Sequence, residues 1–211
     1  MKTGLLMDLL ARGAGPAPSP ATTQRLGSAW ALGLLASAAL ALLMVGPLPA
    51  AAFVKSAPWI KLVYAMSLGW TATLLTAQLA RPVARLRCQL LAVAVVFLVM
   101  ACVAGLSLWQ TPPDLRRAAV FGLTWQMCPW LLLALSLPAL IAGFWAVRGL
   151  APTRLRAAGF ACGLVAGAVG ATGYALSCPE SSVVFVAVWY SLGMAMTAVL
   201  GAVLGPRFLR W

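Results

Sequence analysis

Apolar residues form six long runs along this chain, separated by short polar stretches. Each run has about 20 residues, the length a helix needs to cross the hydrocarbon core of a bilayer. The runs cover residues 26–45, 59–80, 88–109, 128–147, 157–177 and 183–204. None alternates between apolar and polar residues with the period of two that is typical of membrane β-strands. The pattern therefore predicts an all-α polytopic membrane protein, a bundle of six transmembrane helices.

The first run differs from a secretory signal peptide in both length and position. It is longer than the apolar core of such a peptide, and 25 residues precede it. We therefore expect it to be retained as the first span of the bundle.

The composition agrees with a membrane protein and argues against a nucleic-acid partner. The 211 residues are 63% hydrophobic and only 9% charged, whereas a soluble domain carries about 25% charged residues. The net charge of +12 comes from short basic clusters that lie between the apolar runs. Clusters in such positions meet lipid headgroups and set the topology. The bilayer is thus an expected partner, and direct binding to nucleic acid is not expected.

The distribution of Lys and Arg predicts the orientation. If the N-terminus lies in the cytoplasm, eleven basic residues lie on the cytoplasmic side and four on the other. The eleven are Lys2, Arg12, Arg25, Arg81, Arg85, Arg87, Arg148, Arg154, Arg156, Arg207 and Arg210, and the four are Lys55, Lys61, Arg116 and Arg117. Cytoplasmic loops carry the excess of basic residues, so we expect both termini to be cytoplasmic.

Two parts of the chain differ in character, a cytoplasmic segment at 1–25 and the transmembrane domain at 26–211. The segment combines a short leucine-rich stretch with a Gly- and Pro-rich linker at 13–20. The stretch places Leu6, Leu9 and Leu10 on one side of a short helix, next to Asp8. A helix of about 11 residues is not stable alone. It needs either the membrane surface or a groove on a protein partner.

Small residues predict how the spans pack. The fifth span carries Gly163, Gly167 and Gly170, and the sixth carries Gly201 and Gly205. Because lipid removes the hydrophobic drive between helices, close approach at small residues is a main source of stability. We expect these glycines to lie at helix contacts.

Several classes of chemistry lack their usual residues. The acids are Asp8, Asp114 and Glu180, all outside the spans, and the chain has no His. Proton-coupled transport usually needs an ionisable group inside the membrane. Ser-His or Cys-His catalysis needs a His. The sequence therefore predicts neither an enzyme nor a bound cofactor.

Two Cys-Pro pairs are the most specific candidates for chemistry. Cys128 begins the fourth span and Cys178 follows the fifth, which places both at the outer face. Because proline suits the first turn of a helix, each cysteine is predicted to be the N-cap of the next span. A helix N-terminus favours the reactive thiolate form. Two adjacent thiolates can form a disulfide or bind a soft metal ion transiently.

The alternative is that Cys128 and Cys178 are ordinary helix-end residues without mutual contact. The other three cysteines, Cys88, Cys102 and Cys162, are expected to be small apolar filler. No CxxC pair occurs, and the number of cysteines is odd, which argues against a disulfide scaffold or a zinc ribbon.

Three stretches of the sequence resemble a known family. The first is the run from Tyr174 to Ser182, YALSCPESS, which continues through Phe185 and Trp189-Tyr190 to the C-terminal Leu-Arg-Trp. The others are the Cys128-Pro129 start of the fourth span and the N-terminal Met-Lys-Thr with its leucine-rich sequel. With the length and the six spans, they resemble the NrsF-type membrane anti-sigma factors of proteobacteria over essentially the whole chain.

The resemblance implies a function and assigns roles to residues. An ECF sigma factor is held at the cytoplasmic face of the inner membrane, and the periplasm-side cysteines sense heavy metal or oxidative stress. By position these are Cys128 and Cys178. We interpret 1–25 as the sigma-binding segment, with Leu6, Asp8, Leu9 and Leu10 as candidate contacts.

Two other functions stay open from the sequence. A membrane thiol oxidoreductase would use the cysteines, but the chain lacks a CxxC pair. A small transporter or efflux protein would use the spans, but they lack a charge at mid-membrane.

Overall fold

The computed structural model describes residues 4, 7, 19–54, 56–80, 86–150 and 152–210, with the backbone alone at 19–23. Helices account for most of these residues, and no strand occurs among them. The helices are α1 (Ser19–Met44), α2 (Ser56–Leu79), α3 (Arg87–Gln110), α4 (Pro113–Phe121), α5 (Cys128–Arg148), α6 (Leu155–Ala175) and α7 (Val183–Phe208). A 3₁₀ turn spans Ala50–Val54. Within the described residues, all helices except α4 are long and apolar enough to cross a membrane, which confirms the predicted six-span all-α protein.

The helix ends lie close to the predicted ones, with two extensions. The first helix begins at Ser19, seven residues before the predicted span, because a proline at position 20 fits the first turn of a helix. The last helix continues to Phe208. We call the end of the bundle that carries α4 the outer end and the opposite end the inner end.

Helix α6 is the centre of the bundle. It packs against α1, α2, α5 and α7, and its side chains are buried along nearly the whole length. Alanine and glycine make up most of its sequence, so the helix is thin enough for four neighbours to approach. The positions of the other spans therefore follow from this one helix.

The contact between α6 and α7 brings the two backbones together. A Cβ atom added to Gly163 would lie 2.9 Å from the Cα of Ala198, and one added to Gly167 would lie 2.9 Å from the Cα of Met194. From the other side, a Cβ on Gly201 would lie 2.9 Å from the Cα of Gly163. Real Cβ atoms do not approach backbone this closely. Only glycine fits at these positions.

Other glycines of α6 face other helices. A Cβ on Gly170 would lie 3.0 Å from the backbone nitrogen of Ser136 in α5. A Cβ on Gly173 would lie 3.0 Å from the backbone nitrogen of Ala38 in α1. The glycines of α6 thus serve three neighbouring helices rather than a single face.

Buried side chains form two clusters, one toward each end of the bundle. The outer cluster includes Cys128, Cys178 and Phe185. The inner cluster includes Cys162 and Leu209. Helix α3 contributes little to either, and Cys88 and Cys102 are exposed on it. Cys128 and Cys178 therefore share the outer cluster, and the other three cysteines lie outside it.

The close packing of α6 on α7 leaves no room for a side chain at Gly163. Substitution Gly163→Ala would force a Cβ against the α7 backbone, and overpacking of this kind costs about 1–3 kcal/mol. We expect a clearly lower midpoint in thermal unfolding of the protein in detergent.

The matched control is Gly105→Ala on α3, where a Cβ meets nothing within 4 Å. We expect that variant to unfold at the wild-type temperature or slightly above it. Equal midpoints for the two variants would contradict this prediction, because α6 and α7 would then be able to move apart and fit a Cβ at Gly163 without loss of stability.

Candidate functional site

The two Cys-Pro segments meet at the outer end of the bundle. Cys128 is the first residue of α5, and Cys178 follows the end of α6. Both side chains are 0% exposed and lie in the same buried cluster. Neither forms a disulfide. The outer end of the bundle therefore contains a pair of free, buried sulfur groups in one packed cluster.

The predicted capping role of the cysteines is wrong. The N-cap of α5 is Met127, and Cys128 itself is the first helical residue, with Pro129 next to it. The N-cap of α7 is Ser182, whose hydroxyl accepts a hydrogen bond from the Phe185 backbone nitrogen at 3.3 Å. Cys178 instead donates its backbone N–H to the Tyr174 carbonyl at 2.9 Å. It closes the last turn of α6, four residues before the N-cap of α7.

A buried lysine joins the cysteine segment to α2. The distribution of basic residues predicts Lys61 at the outer surface, but its side chain is only 1% exposed. Its ammonium group donates a hydrogen bond of 2.8 Å to the backbone carbonyl oxygen of Cys178. A buried charge is costly unless it has partners, so this contact constrains both segments.

Glu180 joins the segment after α6 to the turn before α5. One oxygen of its carboxylate, Oε1, accepts hydrogen bonds from the backbone nitrogens of Leu123 and Thr124 at 2.7 and 3.0 Å. The Thr124 hydroxyl donates to the same oxygen at 3.1 Å. Glu180 lies two residues after Cys178, and Thr124 lies four residues before Cys128. The carboxylate therefore clamps the two cysteine segments together without a covalent link.

The turn that Glu180 clamps requires a glycine. Gly122 has a φ of +54°, in the left-handed region that side chains rarely adopt. A Cβ there would also lie 2.7 Å from Oε2 of Glu180 and 2.8 Å from the Phe185 ring. Both the backbone conformation and the space thus favour glycine at the end of α4.

Helix α4 is held over the start of α7 by side-chain contacts with its backbone. The Ser182 hydroxyl donates to the Ala119 carbonyl at 2.6 Å, and the Trp189 indole N–H donates to the Val120 carbonyl at 2.8 Å. The rings of Phe121, Trp125 and Trp189 pack on one another, with centroids 5.3–6.3 Å apart. Together with the Glu180 clamp, these contacts form a cap at the outer end, made of α4 and residues 122–127.

Two tyrosines border the cysteines from below the cap. The rings of Tyr174 and Tyr190 stack with centroids 5.7 Å apart, and both side chains belong to the same buried cluster as Cys178. The Tyr190 hydroxyl is buried and lies near the thiol without adopting hydrogen-bond geometry to any group of the described residues. Tyr190 ends a π-helical turn at Val186–Tyr190, a distortion that is frequent at functional sites.

The arrangement limits the metal chemistry that is possible. Among the described residues, no group of three or more Cys, Asp or Glu side chains is arranged to hold a metal ion. A tetrahedral structural zinc site needs four such ligands. Two thiols fit a soft ion that accepts two sulfur ligands, or oxidation to a disulfide.

The sequence places Cys128 and Cys178 at one end of the bundle, and the structure has both in one buried cluster, but three features around them were not predicted. Lys61, Tyr190 and the clamping role of Glu180 were not expected. A lysine inside an apolar run is a recognisable signal, whereas its backbone partner leaves no pattern in the sequence. The predicted sigma-binding candidates Leu6, Asp8, Leu9 and Leu10 lie outside the described residues.

Comparison with known proteins places this chain in a family. The NrsF family, described as "Negative regulator of sigma F", matches residues 10–211. The "Anti-sigma-F factor NrsF" of Caulobacter vibrioides is 40% identical, and the alignment covers 100% of both chains. The "Probable anti-sigma-F factor NrsF" of Azospira oryzae is 38% identical, again over 100% of both chains. No solved structure matches the chain. With the match to the family and full-length identity near 40%, this protein belongs to the NrsF family.

Proposed function

We propose that this protein is a membrane anti-sigma factor that responds to a thiol-reactive signal. It holds an ECF sigma factor at the cytoplasmic face of the inner membrane and releases it when Cys128 and Cys178 react outside. The observation that carries the anti-sigma function is the full-length similarity to two proteins named anti-sigma-F factors. The buried, free thiol pair supports the sensing role.

The orientation of the bundle follows from charge. The inner end carries exposed arginines on several elements, including Arg25, Arg148, Arg156 and Arg207. The outer end carries both acids of the described residues, Asp114 and Glu180. Because basic residues accumulate on the cytoplasmic side, the inner end is cytoplasmic and the cysteines lie toward the periplasm.

A metal ion and an oxidant would each link the two thiols, but by different reactions. A soft divalent ion binds two sulfur ligands, and the two thiol protons leave for solvent. A two-electron oxidant joins the sulfur atoms in a disulfide and takes up both electrons and both protons. The oxidising periplasm favours such reactions. In either case two sulfur atoms on separate segments become linked, which pulls the start of α5 and the end of α6 together.

The sigma factor is bound by the N-terminal segment in this proposal. Residues 1–25 lead into α1 at its inner end, since α1 begins at Ser19, and their leucine-rich stretch is too short to be stable alone. A groove on the sigma factor would bury that apolar side. Helix α1 packs against α5 and α6, the helices next to the two cysteines, so a shift at the site reaches the segment through direct contacts.

Serine substitutions test the sensing role. We expect Cys128→Ser and Cys178→Ser, singly and together, to abolish the induction of sigma-dependent transcription by Hg²⁺ or by diamide. Serine keeps the approximate size of the side chain but removes the sulfur ligand. Reporter transcription is measured in cells with and without each agent.

The control for the serine substitutions is Cys88→Ser, which changes an exposed cysteine of α3. It should respond like the wild type, and immunoblots of membranes check that all variants accumulate. A normal response in the double variant would remove these cysteines from the proposed mechanism.

Deletion of residues 2–12 tests the sigma-binding segment. We expect the sigma factor no longer to co-purify with the membrane protein, and sigma-dependent transcription to become constitutive. The double substitution Leu9→Ala and Leu10→Ala should weaken binding in the same direction. Arg12→Ala is the matched control, since it lies outside the leucine stripe. Retention of the sigma factor by the deletion variant would place the binding surface elsewhere.

Burial of the thiols makes the cap a barrier to the signal. Glu180→Ala removes three hydrogen bonds to the turn before α5, and bonds to a charged group are each worth about 1.5–3 kcal/mol. We expect a membrane-impermeant maleimide to label Cys128 and Cys178 several-fold faster in this variant. Induction by Hg²⁺ should also occur at lower concentration.

The matched control for Glu180→Ala is Asp114→Ala, which removes the exposed acid at the start of α4. Its labelling rate should equal that of the wild type. Identical rates in both variants would mean that the signal reaches the thiols by a route that does not cross the cap.

A further inference from the structure

Lys61 lies at the outer site. The proposed reaction of the thiols does not require it, and neither does the proposed binding of the sigma factor. It lies in the second turn of α2, and its ammonium group is held by the Cys178 backbone carbonyl at 2.8 Å rather than by a carboxylate. Its side chain is among the largest fully buried side chains of the structure. A lysine placed at such a cost inside a membrane bundle is by default a functional residue.

The hydrogen-bond acceptor of Lys61 is a backbone oxygen of one of the two cysteines. The carbonyl belongs to Cys178 itself, so a movement of the Cys178 backbone moves the acceptor of this hydrogen bond. A disulfide needs its sulfur atoms about 2 Å apart, and a shared metal ion also draws them together. In the structure Cys128 and Cys178 form no disulfide. Linking Cys178 to Cys128 therefore acts on the bond to Lys61.

Helix α2 extends from the cysteine site to the inner end, with buried residues in both clusters. Its buried residues recur every three or four positions from the outer to the inner end, as Lys61, Ala65, Leu68, Ala72, Leu75 and Leu79 show. It packs extensively on α6 but only slightly on α1. A helix with one continuous contact face moves as a rigid body when one end is displaced.

We propose that Lys61 is a positioning residue that ties α2 to the Cys178 turn and passes the state of the cysteine pair to the inner end. The inference rests on the proposed anti-sigma function. In the resting protein the tie holds the repressing arrangement. Linking the two sulfur atoms withdraws the carbonyl, frees α2 and releases the sigma factor.

The direct test measures alkylation of each cysteine in the full-length protein in detergent, resolved by mass spectrometry. The variants are Lys61→Met, which keeps the length of the side chain but removes the charge and the donor, and Lys61→Arg, which keeps both. We expect Cys178 to react several-fold faster in Lys61→Met and at close to the wild-type rate in Lys61→Arg. Cys162, which is buried in the inner cluster, serves as the internal control and should not change.

The matched control variant is Tyr64→Phe. It removes another buried tie of α2, the 2.6 Å hydrogen bond between the Tyr64 and Ser191 hydroxyls, and does not touch the Cys178 turn. It should leave the Cys178 rate unchanged. Equal rates in Lys61→Met and the wild type, or an equal increase in Tyr64→Phe, would overturn the proposal.

The test in cells measures the basal level of sigma-dependent transcription. Lys61→Met should raise it several-fold without any signal, also when combined with Cys128→Ser and Cys178→Ser. Lys61→Arg should stay repressed. Membrane immunoblots are made first, and Lys61→Gln, which is too short to reach the carbonyl, replaces Lys61→Met if the latter does not accumulate. A combined variant that accumulates and stays repressed would overturn the proposal.

The two proposals fail in different ways. If the double serine variant still responds to Hg²⁺ and diamide, the sensing role of the cysteines is wrong, whatever the lysine variants do. If that variant is silent but Lys61→Met remains repressed and inducible like the wild type, sensing stands and the role of Lys61 is wrong.

Discussion

The close contact of α6 with its neighbours is the constraint on which the rest of the structure depends. Lipid is as apolar as the side chains, so burying apolar surface gives little net attraction between spans. Attraction then comes from van der Waals contact, which requires the backbones to approach. Gly163, Gly167 and Gly201 make this possible between α6 and α7, and Gly170 and Gly173 do the same toward α5 and α1. A thin central helix thus sets the position of four others.

The outer site uses this rigid centre as a support for polar contacts. Around the end of α6, a lysine from α2 and a carboxylate from the loop before α7 each bind backbone groups of another segment. Lys61 contacts Cys178 itself, and Glu180 contacts the turn four residues before Cys128. The cysteines therefore do not lie in an open cleft. They lie at a junction where α2, α5, α6 and the cap meet, and a reaction there disturbs several elements at once.

The sequence predicts the fold well and the site only in part, for physical reasons. Backbone groups in lipid must be bonded within a helix, so each long apolar run specifies one span. Counting spans then places both Cys-Pro pairs at one end. The capping prediction failed at Cys178 because the residues after Pro179 are not helical until Val183, and the Ser182 hydroxyl caps α7 instead. The Lys61 contact joins residues 117 positions apart through a backbone oxygen, and no residue pattern records such a partner.

The π-helical turn of α7 has a consequence for the two ends of that helix. A π turn contains one more residue than an α turn, so it rotates everything before it relative to everything after it by roughly 100°. After the turn, Gly201 and Gly205 lie against α6, while Phe185 just before the turn packs with Trp189 within it, at the end of α7 that meets the cap. One helix thereby satisfies two sets of neighbours whose angular positions no regular helix could match.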